Sequence, residues 1–116
     1  MKKVLLIDDE RSLNETLTDV IEALGHQVES YFSIGNAVEA TDFSLTDIVI
    51  CDVGLPGENA FDFARWIKDQ HHHIGFVLLS AFSEEEIIQE GLNAGADHYL
   101  VKPAGLDRLK NVFDSF

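Results

Sequence analysis

Four short apolar runs in this chain end in residues able to do chemistry. Val4-Leu5-Leu6-Ile7 runs into Asp8 and Asp9, and Ile48-Val49-Ile50-Cys51 runs into Asp52. Phe76-Val77-Leu78-Leu79 runs into Ser80, and Tyr99-Leu100-Val101 runs into Lys102-Pro103. Continuous apolar runs of this length, bounded by turn residues, read as parallel strands buried on both faces. In an open parallel sheet, ligands bind outside the carboxyl ends of the strands. If these strands are neighbours, three carboxylates, a hydroxyl and an ammonium meet in one pocket. That set suits a metal ion and a phosphate. Clustered carboxylates repel one another, which raises proton affinity and favours a cation. Mg²⁺ takes oxygen ligands and keeps several waters, so a few carboxylates suffice.

Each residue also has a plainer reading. Asp8 and Asp9 alone are ordinary solvated acids at a strand end. Asp52 is either a third ligand or a nucleophile, since a carboxylate that attacks phosphorus gives an acyl phosphate. A metal ion and a lysine would then neutralise the charge on the phosphoryl oxygens. Lys102 is placed for that role, or is a surface lysine before the turn that Pro103 imposes, with either isomer of the Lys102–Pro103 bond open. Ser80 donates to a phosphoryl oxygen or simply closes a strand. Tyr99 and Cys51 read as core. His71-His72-His73 has no cysteine or further histidine nearby and reads as a solvated loop. Trp66, among Arg65, Lys68 and Asp69, reads as partly exposed.

The elements that must position these residues alternate strand with helix along the whole chain, the pattern of an α/β parallel sheet. Ser12-Leu13-Asn14-Glu15 matches a capping box, and Leu13, Leu17, Val20, Ile21 and Leu24 mark one helical face that Gly25 ends. Residues 27–32 read as the second strand and 35–41 as a short helix. Gly54-Leu55-Pro56-Gly57 is a loop before a helix over 59–70. Ser83-Glu84-Glu85-Glu86 is a second capping box, opening a helix that runs to Ala94 and stops at Gly95. Gly91 within it either loosens the helix, by about 1 kcal/mol relative to Ala, or permits close packing. The last helix spans 106–113.

Composition narrows the function classes. The 116 residues suit one domain, and 46% hydrophobic content suffices for a core. The net charge of −13, from 21 acidic and 8 basic residues, argues against direct nucleic-acid binding or attachment to an anionic membrane. One cysteine allows no internal disulfide. Met1-Lys2-Lys3 opens like a signal peptide, but the apolar run stops at Asp8-Asp9-Glu10, too short for one. A soluble, cytoplasmic domain is expected.

The ordered set Asp8-Asp9, Asp52 with Leu55-Pro56-Gly57, Ser80-Ala81, Gly95-Ala96-Asp97 and Lys102-Pro103 resembles the receiver domain of bacterial two-component response regulators. The resemblance covers residues 1–116. It implies a flavodoxin-like three-layer sandwich: a five-stranded parallel sheet of order 2-1-3-4-5 with five helices. It implies Asp52 as phosphoacceptor, and Mg²⁺ held by Asp8, Asp9, Asp52 and the Gly54 carbonyl. Lys102 would pair with the phosphoryl group, Ser80 would move toward it, and Tyr99 would turn inward as the switch. The implied partners are a sensor histidine kinase or phosphotransfer protein upstream and an effector domain or protein downstream. The output face would be the fourth helix, fifth strand and fifth helix.

Some positions depart from the family's pattern. Gly54 carries no side chain to guide water, and Phe82 stands where many receivers have a polar residue. Ala60 stands for a usual glycine. His98 replaces a frequent acidic residue, and Ala104-Gly105 a frequent aromatic, so the output face lacks part of one subfamily's dimerisation charge pattern. Two other readings compete. An aspartyl-nucleophile phosphatase would carry a second Asp at position 54. A pseudo-receiver, binding partners without phosphorylation, would lose the acidic pair, the acceptor or the lysine.

Overall fold

The computed structural model describes residues 1–116. Five strands, β1 (Lys3–Ile7), β2 (Gln27–Tyr31), β3 (Ile48–Asp52), β4 (Gly75–Ser80) and β5 (His98–Val101), form one parallel sheet of order β2-β1-β3-β4-β5. The helices are α1 (Arg11–Ala23), α2 (Ile34–Ala40), α3 (Ala60–Gln70), α4 (Glu85–Asn93) and α5 (Leu106–Asp114), with a single 3₁₀ turn at Phe43–Leu45. The expected flavodoxin-like architecture and strand order are thus present.

The apolar runs are strands because both faces of the inner sheet are covered. β3 and β4 are buried at every residue, whereas the edge strand β2 is largely exposed and reads as mixed polar sequence. Alternate residues serve opposite cores. Leu5, Ile7, Val49, Cys51, Phe76 and Leu78 face one core with Phe61, Phe63 and Ile67 of α3. Val4, Leu6, Ile48, Ile50, Val77 and Leu79 face the other, with Leu17 and Ile21 of α1 and Leu109 and Val112 of α5. The helical face read from Leu13 to Leu24 lies in this second layer. Gly25 and Gly95 follow α1 and α4 at φ +95° and +112°, the left-handed conformation a side chain would oppose.

Neither capping box forms. Ser12 lies inside α1, which starts at Arg11 behind Glu10, and Glu10 N–H donates to Asp8 Oδ1 at 2.9 Å instead. Ser83 lies outside α4, whose N-cap is Glu84 with no side-chain hydrogen bond. The side-chain caps are elsewhere: Ser33 accepts Asn36 N–H, and Asn59 accepts Phe61 and Asp62 N–H. Gly91 is settled by packing. A Cβ there would lie 2.7 Å from Leu78 Cδ1, 3.1 Å from Tyr99 Cδ2 and 3.2 Å from Phe61 Cε1. The glycine lets α4 sit directly on β4 and β5.

Gly95-Ala96-Asp97 works at the end of the sheet opposite the polar strand ends. Asp97 Oδ2 accepts Phe76 N–H at 2.8 Å and Lys68 Nζ at 2.6 Å, and Asp97 N–H donates to Phe76 O at 2.8 Å. Lys68 Nζ also donates to Ile74 O at 2.8 Å. These bonds join the starts of β4 and β5 to α3.

Candidate functional site

Strand register assembles the site. Ile7 stands opposite Cys51, so Asp8 lies beside Asp52; Asp52 stands opposite Leu79, and Ser80 opposite Val101, so Ser80 follows directly beyond the Asp52 level and Lys102 directly beyond Ser80. Carboxylate oxygens of Asp8, Asp9 and Asp52 all lie within 4.8 Å of one another. Asp8 and Asp52 are buried, Asp9 is exposed, and Ser80 is buried. Lys102 is fixed through its backbone N–H, which donates to Ser80 O at 2.7 Å, before the cis Lys102–Pro103 bond. Its Nζ lies 3.1 Å from Asp52 Oδ1 and 3.2 Å from Asp8 Oδ2. The fold brings Asp8, Asp9, Asp52 and Lys102 together, with Ser80 at the adjoining end of β4 and Gly54 against Asp52 on the loop after β3: a Cβ at 54 would lie 3.7 Å from Asp52 Oδ2.

The electrostatics favour an added cation. Burial pushes the Asp52 carboxyl above its ordinary value; Lys102 pulls it down, Asp8 pushes it up, and the balance stays raised. Burial is thus the leading cause, ahead of carboxylate clustering. Lys102 is also raised: burial opposes its charge, but the hydrogen bond and charge of Asp52, with Asp8 behind, outweigh it. One ammonium serves two buried carboxylates and does not neutralise both. Asp8 Oδ2, although ion-paired to Lys102, is buried and accepts no directed hydrogen bond. A buried acceptor without a hydrogen bond is costly. The residues therefore fit a hard divalent cation: oxygen donors only, two buried carboxylates sharing one ammonium, and an exposed flank at Asp9 open to the waters that would complete its shell.

Ser80 and Tyr99 meet through one residue. Ser80 Oγ accepts Phe82 N–H at 2.9 Å, and Tyr99 Oη donates to Phe82 O at 2.9 Å. Tyr99 is half-buried and packs against the core beneath α4, while the Phe82 ring is 45% exposed. Cys51 is buried, as expected of core. His71-His72-His73 follow α3 in a turn and join no group of three ligating side chains. The His71 ring stacks on Phe43 at 5.1 Å, and Trp66 meets Phe43 edge-on at 5.5 Å.

Two supporting residues escaped sequence reading. Asn14 is buried, and its Nδ2 donates to Asp8 O and Tyr31 O, both at 3.0 Å, fixing the turn that carries the acidic pair. Its signal was present: Asn14, Leu17 and Ile21 share one inward stripe. Glu58 reaches from the β3–α3 loop to the start of α2, 24 residues away, and no local pattern marks it.

A sequence profile of the response regulator receiver domain matches residues 4–114. The KDP operon transcriptional regulatory protein KdpE of Escherichia coli is 32% identical over 110 residues, covering 95% of this chain and 48% of KdpE. Sporulation initiation phosphotransferase F of Bacillus subtilis is 25% identical over 118 residues, covering 99% of this chain and 93% of that protein. Among solved structures, the non-phosphorylated HemR receiver domain of Leptospira biflexa superposes with a TM-score of 0.88 at 27% identity, covering 99% of this chain and 93% of that one. The chain spans less than half the length of transcriptional regulators such as KdpE. No helix is long and apolar enough to cross a membrane. With the strand order, the acidic cluster and the lysine in one register, the profile match makes this chain a member of the response regulator receiver domain family.

Proposed function

We propose that this domain is a cytoplasmic phosphoacceptor switch: Asp52 takes a phosphoryl group from a phosphohistidine of a sensor kinase or phosphotransfer protein. The observation that carries the reading is the Asp8, Asp9 and Asp52 cluster within 4.8 Å, with Lys102 Nζ between two of its members. Asp8, Asp9, Asp52 and the Gly54 carbonyl would hold Mg²⁺, which supplies positive charge for the phosphoryl oxygens. Asp52 attacks phosphorus through a carboxylate oxygen. The P–N bond of the donor breaks, its electron pair stays on the ring nitrogen, and the imidazole leaves neutral, keeping the proton already on its other nitrogen. Lys102, released from sharing two carboxylates, pairs with the new phosphoryl oxygens. Ser80 Oγ turns toward them and gives up Phe82 N–H. That bond is one half of the link to Tyr99, so the change reaches α4 and β5.

This activity is a single transfer to the domain itself and its reversal, not turnover of a substrate. A phosphatase reading lacks its acid/base group, because position 54 is glycine. The pseudo-receiver alternative has no support, because the acidic pair, the acceptor and the lysine are all present and assembled. The test is intact mass after incubation with a small acyl phosphate, with Mg²⁺ and with chelator. A phosphoryl adduct that requires Mg²⁺ and maps to Asp52 is expected; no adduct from either an acyl phosphate or a phosphorylated kinase would sink the reading.

Phe82 is joined to Ser80 through its backbone N–H, and its half-exposed ring offers no polar group to water. It is expected to lengthen the phosphorylated lifetime by hindering the attacking water. Phe82→Glu and Phe82→Ala should then dephosphorylate faster than wild type in a decay assay. Equal decay rates would rule this out.

A further inference from the structure

Glu58 takes no part in the chemistry proposed above, yet its carboxylate is fully committed. Oε1 accepts Ile34 N–H at 2.7 Å and Oε2 accepts Gly35 N–H at 2.9 Å. These are the first two amides of α2, groups with no partner inside the helix. Ser33 already serves Asn36 N–H. Two charge-assisted bonds from one planar group hold distance and orientation together.

The bond matters for what it joins. The loop from residue 53 to 59 begins where Asp52 ends β3. Val53 N–H donates to Leu79 O at 2.9 Å, the Leu55 side chain is buried, and Glu58 N–H closes a turn on Leu55 O at 3.3 Å. Gly54 lies between the first two anchors. Glu58 then ties the loop to the β2–α2 turn, three residues beyond Tyr31. Tyr31 O accepts Asp8 N–H at 3.2 Å and Asn14 Nδ2 at 3.0 Å. The contacts close a ring: Asp52, the loop, Glu58, the start of α2, Tyr31, Asp8, and back through the β1–β3 pairing. The ring closes the acidic site on its β2 side, while Lys102 closes it from β5.

The geometry points to Glu58 as a positioning residue for the cation site: its fork onto Ile34 and Gly35 holds the β3–α3 loop so that the Gly54 backbone meets the Asp8, Asp9 and Asp52 carboxylates. This rests on the Mg²⁺-dependent reading above and adds a determinant outside the ligands. Outer residues that orient metal ligands typically change affinity by about 10–100-fold.

The test is a Mg²⁺ titration of the metal-free domain, without phosphodonor, followed by backbone amide NMR shifts in wild type, Glu58→Ala and Glu58→Gln. Hydrogen exchange at Ile34 and Gly35 shows in each variant whether the fork is broken. Glu58→Ala should weaken Mg²⁺ binding about tenfold, and Glu58→Gln, which keeps an acceptor oxygen and the same reach, should recover part of the loss. Unchanged Mg²⁺ affinity in Glu58→Ala, with Ile34 and Gly35 deprotected, would show that Glu58 merely caps α2 and would overturn the inference. A wild-type domain whose amides near Asp8, Asp52 and Gly54 ignore Mg²⁺ would overturn the functional reading itself, a distinguishable failure.

Discussion

Asp52→Asn is expected to accept no phosphoryl group and, in chelator at neutral pH, to resist denaturant better than wild type. The first half follows from removing the nucleophile. The second follows from the sign of the Asp52 shift. Its carboxyl is raised in the fold above the ordinary 3.8. The folded state therefore holds this proton more tightly than the unfolded chain. That contribution is fully present below the unfolded value and is lost as pH rises through the folded one. At neutral pH the ionised group costs stability, whereas asparagine carries no charge and can still pair with the Lys102 ammonium. Mg²⁺ is expected to reverse the ranking. A ligand bound only by the folded state adds about 2.7 kcal/mol at one hundred times its Kd, and wild type binds it better. Urea unfolding with chelator and with Mg²⁺ measures both orders. A wild type that is the more stable of the two in chelator would remove the premise that burying the ionised Asp52 carboxylate costs the metal-free fold stability.

Lys102→Ala is expected to lose most of the conformational response and about 3 kcal/mol of metal-free stability at neutral pH, the low end for breaking a buried ion pair. The low end applies because the Lys102 side chain keeps 20% of its surface in solvent. The loss is also capped, since a carboxyl left without a cation takes up a proton instead. That cap gives the variant its signature. With the ammonium gone, the Asp52 proton affinity rises further, so stability should fall more steeply than in wild type as pH rises above the ordinary carboxylate value of 3.8. Unfolding midpoints across that range check the slope. A Lys102→Ala slope equal to that of wild type would mean the ammonium does not govern the buried carboxylates.

The strands and site residues were legible in sequence for a common reason. Burial on both faces turns a strand into an unbroken apolar run, and the first polar residue after it marks the carboxyl end where chemistry gathers. The ends of the runs fall close together in the register: Asp8 is beside Asp52, Ser80 lies just beyond them, and Lys102 just beyond Ser80. Helix starts were not legible in the same way. Ser12 and Ser83 satisfied a local motif, but Asp8 already serves the entry to α1, and α4 begins past Ser83. Gly91 could be read two ways until its neighbours Leu78, Tyr99 and Phe61 were known. Asn14 and Glu58 owe their roles to partners brought close only by the fold. Gly95-Ala96-Asp97 shows the converse. It helped carry the family resemblance, yet lies at the other end of the sheet and takes no part in the acidic site.

That remote motif has a mechanical consequence. The starts of β4 and β5 are tied reciprocally through Asp97 and Phe76, and Lys68 rivets both to α3. The far ends of the same strands hold Ser80 and Lys102, the groups proposed above to answer phosphorylation. A strand clamped at one end and pulled at the other swings instead of sliding. On the proposed phosphorylation of Asp52, displacement is expected to be smallest at Asp97 and to grow along β5 toward Val101, as along a lever with its fulcrum at the Asp97 carboxylate.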